Sequence, residues 1–399
     1  MPADRPTLLC LASYFKGERF LEAAHRAGAR VVLLTREKLA DEPWPMDHVD
    51  ERFLLPDLRR QPDVTHAVSY LARTRRFDRI VALDEYDTPT AASLRAHLGL
   101  PGPDESTARR FRDKLTMRLA AREAGLTQPA FVPVLNHDDL RAFMEATPPP
   151  WVLKPRAEAS AMGIRKLTHP DALWPLLDEL GDRQSYYVLE RFLPGDVFHV
   201  DAVVWDGQVL FAAAQQYGEP PLDVYQGGGV FLSRTVPHDT PEEAELLRFN
   251  RDLVAAFGLW HGVTHAEFIR HEGRFYFLEV AARVGGAGID RLVEAATGLN
   301  PWEAWAHVEV ARARGDAYRL PPLRRDYAGL VVCLSRQPWP DLSVYDDPEV
   351  VWRLHKKHHA GLVVAAPEHA RVEELLHAYA PRFAQDFLAW QPPLDTAPD

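Results

Sequence analysis

The sequence lacks the features that mark several classes of protein. It contains two cysteines in 399 residues, Cys10 and Cys333. Both lie within apolar runs, which predicts buried free thiols rather than a disulfide framework or a metal site. No window approaches the roughly 18 consecutive apolar residues of a membrane span, and residues 1–6 lead into a strand-like run without the pattern of a signal peptide. We therefore expect a protein of the reducing cytoplasm with no membrane partner.

The charge pattern also disfavours binding to nucleic acid. The formal net charge is −11, and no run of Lys and Arg is long enough to follow a phosphate backbone. The basic cluster at residues 109–118 is interpreted as a solvated helix face. No G-x-G-x-x-G motif occurs in the first β-α-β unit, so a dinucleotide site is not supported.

The N-terminal part of the sequence alternates between strand and helix patterns. Residues 7–13 and 29–35 are apolar runs on either side of a helical pattern at 17–27, and this β-α-β unit predicts a parallel sheet. A further strand at 79–83 ends at Asp84 and Glu85, where the carboxyl end of a parallel strand faces a cleft. We predict a Rossmann-like domain over residues 1–105.

The remaining chain follows a Pro-Gly-Pro break at residues 101–103. One amphipathic helix is predicted over 106–125, and later elements are mixed strands and helices. We place boundaries after residues 205, 320 and 390, and expect the proline-rich residues 391–399 to form a frayed tail. The overall fold class is therefore α/β followed by α+β.

Two acidic strands form the most informative pattern. Glu267 and Glu279 lie on neighbouring predicted strands, Lys114 and Lys154 lie upstream, and Arg283 follows Glu279 by four residues. Magnesium prefers oxygen ligands and is commonly held by one or two carboxylates with substrate phosphates, whereas lysine and arginine neutralise phosphate charge. This combination indicates a nucleotide-dependent enzyme.

The two lysines have physical arguments of their own. Pro155 biases Lys154 away from helix, so its ammonium group is predicted to project from a sheet edge. Lys114 lies early in its helix, where the helix dipole disfavours a cation and a functional reason is favoured. For Lys154 the alternative is a solvated surface lysine.

In their order along the chain, these motifs resemble the ATP-grasp superfamily. Asp113-Lys114 followed by the segment 124–129 resembles the entry segment of that family. Lys154-Pro155 resembles its second phosphate lysine, residues 190–195 resemble its interlobe hinge, and the two acidic strands resemble its metal-binding pair.

The resemblance implies a pre-ATP-grasp domain at residues 1–105 and a two-lobed ATP-grasp fold after it. The first lobe would span 106–205 and carry a flexible phosphate-covering loop. The second lobe, 206–320, would hold the metal and catalytic residues, and residues 321–390 would form an α+β segment packed on it.

The resemblance also implies an ATP-binding set. Glu190 and the hinge backbone would receive the adenine, which Val152 and Leu278 would sandwich. The ribose-binding glutamate of many relatives is replaced here by Val197, which leaves Asp196 or Asp201 for that contact. The full implied ATP-binding set is Lys114, Val152, Lys154, Ser160, Gly163, Glu190, Arg191, Phe192, Leu193 and Leu278.

For the reaction itself, the resemblance assigns Glu267 and Glu279 to Mg²⁺, with Mn²⁺ as a possible substitute. Ala281 replaces a metal-binding asparagine of many relatives, which leaves the number of magnesium ions open. Arg283 resembles the catalytic arginine that stabilises the transferring phosphoryl group. The possible substrate contacts are Glu85, His199, His265, Gly285 and Gly286.

His199 shares a strand face with Asp201, and a metal role would need a third ligand that the sequence does not nominate. A hydrogen-bonded core or a substrate contact is therefore favoured over a metal site. The glycines at 285 and 286 precede a helix, whose N-terminus suits a carboxylate.

The function implied by the resemblance is that of an ATP-dependent carboxylate-amine ligase, similar to L-amino-acid ligases. It would join a small carboxylic acid to an amine, with amino acids favoured, through an acyl phosphate and with release of ADP and phosphate. A homodimer is a further expectation. The alternative is a degenerate ATP-binding regulatory module without turnover, for which Ala281, Val197 and the alanine-rich loop 157–163 are the arguments.

Overall fold

A four-stranded parallel sheet forms the N-terminal part of the computed structural model, which describes residues 5–392 and Leu394. The strand order is β3-β2-β1-β4. Successive side chains of the first strand enter two different cores, one on each face, as expected of a parallel sheet that helices cover on both sides. Its elements are β1 (Thr7–Ala12), α1 (Glu18–Arg26), β2 (Arg30–Arg36), β3 (Glu51–Leu55), α2 (Asp63–Ala72), β4 (Arg79–Ala82) and α3 (Thr88–Leu98).

The single helix predicted over 106–125 is two helices, α4 (Glu105–Arg110) and α5 (Lys114–Glu123). The break occurs because Asp113 adopts an extended backbone and caps α5, with its carboxylate accepting the amide N–H of Leu115 at 3.0 Å. Lys114 is therefore the first residue of its own helix.

A second, four-stranded antiparallel sheet follows, with strand order β5-β8-β6-β7. Because β6 lies between β8 and β7, Lys154 projects from an inner strand and not from the predicted sheet edge. The elements are β5 (Phe131–Pro133), α6 (His137–Ala146), β6 (Trp151–Pro155), β7 (Arg165–Leu167), α7 (Leu173–Leu180) and β8 (Tyr187–Arg191).

The third sheet has eight strands in the order β13-β12-β9-β10-β11-β14-β16-β15, and every neighbouring pair is antiparallel. Its first elements are β9 (Asp196–Trp205), β10 (Gln208–Tyr217), α8 (Pro221–Gly227), β11 (Phe231–Thr235), α9 (Pro241–Phe257), β12 (Gly262–His271) and β13 (Arg274–Ala281). The remaining elements are α10 (Ile289–Thr297), α11 (Pro301–Arg314), β14 (Tyr327–Leu334), β15 (Val350–Arg353), β16 (His359–Ala366) and α12 (His369–Asp386).

Two boundaries differ from those drawn on the sequence. The boundary after residue 205 assigns β9 to the first lobe, but β9 pairs with β10 and β12 in the eight-stranded sheet. The chain therefore passes from one antiparallel sheet to the other before β9, at Gly195. A Cβ atom on Gly195 would lie 2.0 Å from the carbonyl oxygen of Arg270, which explains the glycine at this passage. The boundary after residue 320 divides one sheet, because β14, β15 and β16 extend the strands before it.

Both cysteines are free and buried, as predicted. Cys10 lies in β1 and Cys333 in β14. Across the described part of the chain, no helix combines the length and the apolar character needed to cross a bilayer.

Candidate active site

A cavity of about 760 Å³ lies between the smaller antiparallel sheet and the eight-stranded sheet. Val152 and Lys154 of β6 line it from one sheet, and Leu278 and Glu279 of β13 line it from the other. Most residues predicted for the site line this cavity. The exceptions are Glu85, Gly163, His199 and Gly285.

Glu267 and Glu279 are directly opposite each other on β12 and β13, beside an irregularity in the strand register. The carboxylate of Glu267 accepts a hydrogen bond from the Tyr217 hydroxyl at 2.8 Å. Burial raises the pKa of Glu267, but the hydrogen bond and charge of His265 outweigh it and hold the pKa below its ordinary value. Two neighbouring carboxylates that face one cavity form an oxygen donor set that fits a magnesium ion.

The two predicted phosphate lysines contact acidic and carbonyl groups of the same cavity. The Lys114 ammonium lies 2.9 Å from Glu279 and donates to the backbone carbonyl of Glu158 at 2.7 Å. The Lys154 ammonium donates to Glu190 at 2.8 Å. Lys114 therefore joins the start of α5 to Glu279 of β13.

Glu190 is fully buried, and Arg118 holds its carboxylate with two hydrogen bonds of 2.7 and 3.2 Å. Arg118 also donates to the backbone carbonyl of Leu278 at 2.7 Å. Burial raises the pKa of Glu190, but the charges of Arg118 and Lys154 lower it to about 2. The carboxylate thus accepts three hydrogen bonds from two cationic side chains.

Arg118 corrects the interpretation of the 109–118 cluster as a solvated face, because its side chain is only 1% exposed. It lies one helical turn after Lys114, on the same face of α5, and that spacing was the available signal. Arg112 is buried as well. The hinge backbone at residues 190–195 was expected to receive the adenine. One of its donors is already used, because the Phe192 amide donates to the Pro150 carbonyl at 2.9 Å.

Arg283 lines the cavity and binds Glu85, which lies just after β4 in the N-terminal sheet. The guanidinium donates to one Glu85 oxygen at 2.5 and 3.1 Å, and Arg112 reaches the other oxygen at 3.4 Å. Burial raises the pKa of Glu85, but Arg283 and Arg112 lower it to about 2. The N-terminal domain therefore contacts the site through this ion pair.

His199, Asp201 and His265 form a buried cluster. His265 is a third potential metal ligand beside His199 and Asp201, whereas the sequence had suggested it only as a possible substrate contact. The Asp201 carboxylate bonds to His199 at 2.8 Å and to His265 at 2.9 Å, while the other nitrogen of His199 bonds to Ser233 at 2.7 Å. Burial lowers the pKa of His265, but Asp201 raises it to about 9 overall. The three side chains are hydrogen-bonded to one another in the order His199, Asp201, His265.

The two residues left open for ribose binding do not line the cavity. Asp201 is 2% exposed and is held by the two histidines. Asp196 is exposed and lies away from the cavity wall. Val197 does line the cavity, so a ribose at this point would meet an apolar side chain.

The loop 157–163 and the C-terminal residues meet at the mouth of the cavity. Ser160 and Ala161 adopt left-handed backbone conformations with φ of 56° and 59°, and the Gly163 amide donates to the Leu394 carbonyl at 3.4 Å. Tyr225 also bonds to the backbone of Leu394. Of the tail predicted to fray, Gln391, Pro392 and Leu394 border the cavity, while residues 393 and 395–399 lie outside the described residues.

Comparison with known proteins agrees with this architecture. Residues 21–102 match the model of the ATP-grasp N-terminal domain. The chain is 28% identical over 274 residues to the L-arginine-specific L-amino acid ligase of Bacillus subtilis, a match that covers 67% of this chain but only 65% of that relative.

Two solved structures share the fold over nearly their whole length. The L-amino acid ligase from Bacillus licheniformis matches with a TM-score of 0.74 and 20% identity, over 98% of this chain and 100% of that chain. An N5-carboxyaminoimidazole synthetase from Staphylococcus aureus, solved with ADP, matches with a TM-score of 0.72 and 16% identity, over 94% and 96% of the two chains. The predicted fold class, including its N-terminal domain, is confirmed.

Proposed function

We propose that this chain, which has the ATP-grasp fold behind an ATP-grasp N-terminal domain, is an ATP-dependent carboxylate-amine ligase. The observation that carries the proposal is the convergence of two lysines, two opposed glutamates and an arginine on one cavity. Phosphoryl transfer requires positioning and charge neutralisation more than covalent chemistry from the protein, and these groups supply both.

In this proposal the adenine lies between Val152 and Leu278, which approach the cavity from the two antiparallel sheets. Leu193 and Arg191 border the same end of the cavity. Because Glu190 is held by Arg118 and Lys154, it acts on the nucleotide by fixing the position of the Lys154 ammonium.

The triphosphate lies toward Lys114 and Lys154, under the loop that carries Ser160 and Gly163. Glu267 and Glu279 would hold the magnesium ion. When bound, the ion neutralises phosphate charge, and Mn²⁺ could substitute because it accepts the same oxygen ligands.

The reaction has two steps. A substrate carboxylate attacks the γ-phosphorus of ATP, the bond to ADP breaks, and an acyl phosphate forms. An amine then attacks the acyl carbon, phosphate leaves with the electron pair of the broken bond, and the amine loses a proton to give the amide. Arg283 neutralises charge on the transferring phosphoryl group, and Gly286, just before α10, borders the carboxylate.

The test is release of ADP and phosphate from Mg-ATP with amino acids supplied singly and in pairs, together with mass spectrometry of the product. We expect stimulation by a pair and a product whose mass is that of the two amino acids less one water. Hydroxylamine in place of the amine should yield a hydroxamate if an acyl phosphate forms.

The variant Arg283→Ala serves as the reference for loss of turnover. ATP binding without stimulation by any acid or amine would instead support the degenerate regulatory module. The proposed homodimer is tested separately by light scattering, since the ligase chemistry does not depend on it.

A further inference from the structure

The cavity face of the eight-stranded sheet changes character from one end to the other. Strand register places a series of residues on one face, because side chains alternate between the two faces of a sheet. From β13 to β11 the residues paired in register are Glu279, Glu267, His199, Gln215 and Thr235. Phe231 lies on the same face of β11, four residues before Thr235, and it pairs with Val332, which pairs with Gly361. The face is therefore acidic and hydrogen-bonded at the β13 end and largely apolar from Phe231 onward, with His359 beside Leu334 at the β16 end.

The apolar end lines the cavity, and we call its side chains the apolar wall. The Tyr217 and Phe231 rings pack with their centroids 5.3 Å apart. On β14, Val332 pairs in register with Phe231, and α10 covers the same region. The wall consists of Tyr217, Phe231, Ile289, Val332 and Leu334.

The apolar wall begins one side chain away from the proposed metal site. The hydroxyl of Tyr217 donates to Glu267 at 2.8 Å, so the ring of Tyr217 joins the two ends of the sheet face. Gly285 lies between the ends as well, since a Cβ there would meet Ile289 at 2.8 Å and His265 at 3.0 Å. A substrate whose carboxylate reaches the metal end therefore has the apolar wall directly beside it.

Among the described residues, no carboxylate of the cavity lies on the strands or helix that form this wall. Glu190 is paired with Arg118 and Lys154. Glu158 lies on the loop 157–163 and accepts a hydrogen bond from the Tyr86 hydroxyl. The remaining carboxylates are the two proposed metal ligands and Asp223, which is exposed on α8.

We propose that the amino acid bound against the apolar wall carries an uncharged, apolar side chain. This inference rests on the proposed ligase function and specifies its substrate class. Burial of an apolar side chain against this wall is favourable, whereas a cationic side chain there would lose its hydration with no carboxylate on the wall to replace it. The relative named for L-arginine is then a ligase with a different preference.

The first experiment compares leucine, methionine, phenylalanine, lysine and arginine as stimulants of ADP release, each with a common amine partner. We expect kcat/KM for the best apolar amino acid to exceed that for arginine by about 10-fold or more. A preference for arginine or lysine would overturn the inference while leaving the ligase function in place. The absence of stimulation by every amino acid, with ATP still bound, would overturn both.

A pair of variants tests the wall directly. Phe231 is only partly buried, so Phe231→Glu adds a carboxylate to the wall at modest cost to folding, and Phe231→Gln is the matched uncharged control. We expect the ratio of kcat/KM for arginine to that for leucine to rise about 10-fold in Phe231→Glu but not in Phe231→Gln, with thermal melts confirming that both fold. Equal ratios in the two folded variants would show that the side chain lies elsewhere.

Discussion

Two buried arginine–glutamate pairs flank the cavity and differ in their surroundings. The Arg118–Glu190 side chains are 1% and 0% exposed, and Lys154 closes the pair. The Arg283–Glu85 side chains are 15% and 12% exposed, and Arg283 faces the cavity. We call the fully buried Arg118–Glu190 pair the closed pair and the partly exposed Arg283–Glu85 pair the open pair. The closed pair therefore belongs to the fold beneath the proposed nucleotide site, and the open pair is accessible from the cavity.

The largest effect is expected from Arg118→Met, which leaves the Glu190 carboxylate buried with Lys154 as its only cation. Loss of one partner of a buried pair costs about 3–5 kcal/mol, and we expect that fall in the free energy of unfolding, measured with urea. The double variant Arg118→Met/Glu190→Met should recover much of the loss, because no buried carboxylate remains and Lys154, which loses its partner, faces the cavity. A single variant as stable as the wild type would show that the closed pair does not support the fold.

A change at the open pair that keeps its charge should alter turnover and not stability. For Arg283→Lys, which keeps the charge but loses the planar group with its several donors, we expect kcat to fall about 10²–10³-fold. The thermal midpoint should stay close to that of the wild type. The control is Arg274→Lys, at the exposed first position of the strand β13 that precedes Arg283. Equal activity loss in both variants would argue against a specific role for Arg283.

The pH dependence of stability tests the closed pair a second way. The pKa of Glu190 is lowered from 4.5 to about 2. Because the folded pKa lies below the unfolded one, the stabilisation is present above about pH 4.5 and is lost as the pH falls toward 2. That depression corresponds to about 3 kcal/mol.

We therefore expect Glu190→Gln to be less stable than the wild type at pH 6 and to approach the wild-type stability as the pH falls toward 2, in urea unfolding at a series of pH values. A difference that stays constant across that range would mean that Glu190 is not an anion in the folded protein. The same series with Glu85→Gln compares the open pair, whose glutamate pKa is also lowered to about 2.

The sequence was sufficient for the parts of the site that local patterns specify. Strand alternation and the surrounding aromatic residues indicated that Glu267 and Glu279 face a common cleft, and the structure places them in register. The β-α-β pattern likewise predicted the parallel sheet. These features depend on residues near one another in the chain.

Neither the two ion pairs nor the sheet boundaries could be predicted from the sequence, because both depend on tertiary contacts. Arg283 and Glu85 are separated by 198 positions, and no local pattern specifies such a pairing. Arg118 is buried because its helix α5 packs against β8 and β13, and an arginine in a helix with other charged residues otherwise resembles a solvated one. β9 looked like the end of one unit because its partners β10 and β12 are chosen by tertiary pairing and not by its own sequence.

The smallest effect is expected from Glu85→Gln, which keeps the shape at the open pair but removes the anion that holds Arg283. A substrate carboxylate would no longer compete with Glu85, so KM for the acid should fall, and the less firmly held guanidinium should lower kcat, each by about 3–10-fold. Steady-state kinetics with the acid varied at saturating ATP and amine separates the two terms. If both KM and kcat stay at the wild-type values, the Glu85–Arg283 pair affects neither substrate binding nor turnover. The distinction between an open and a closed pair would then not hold.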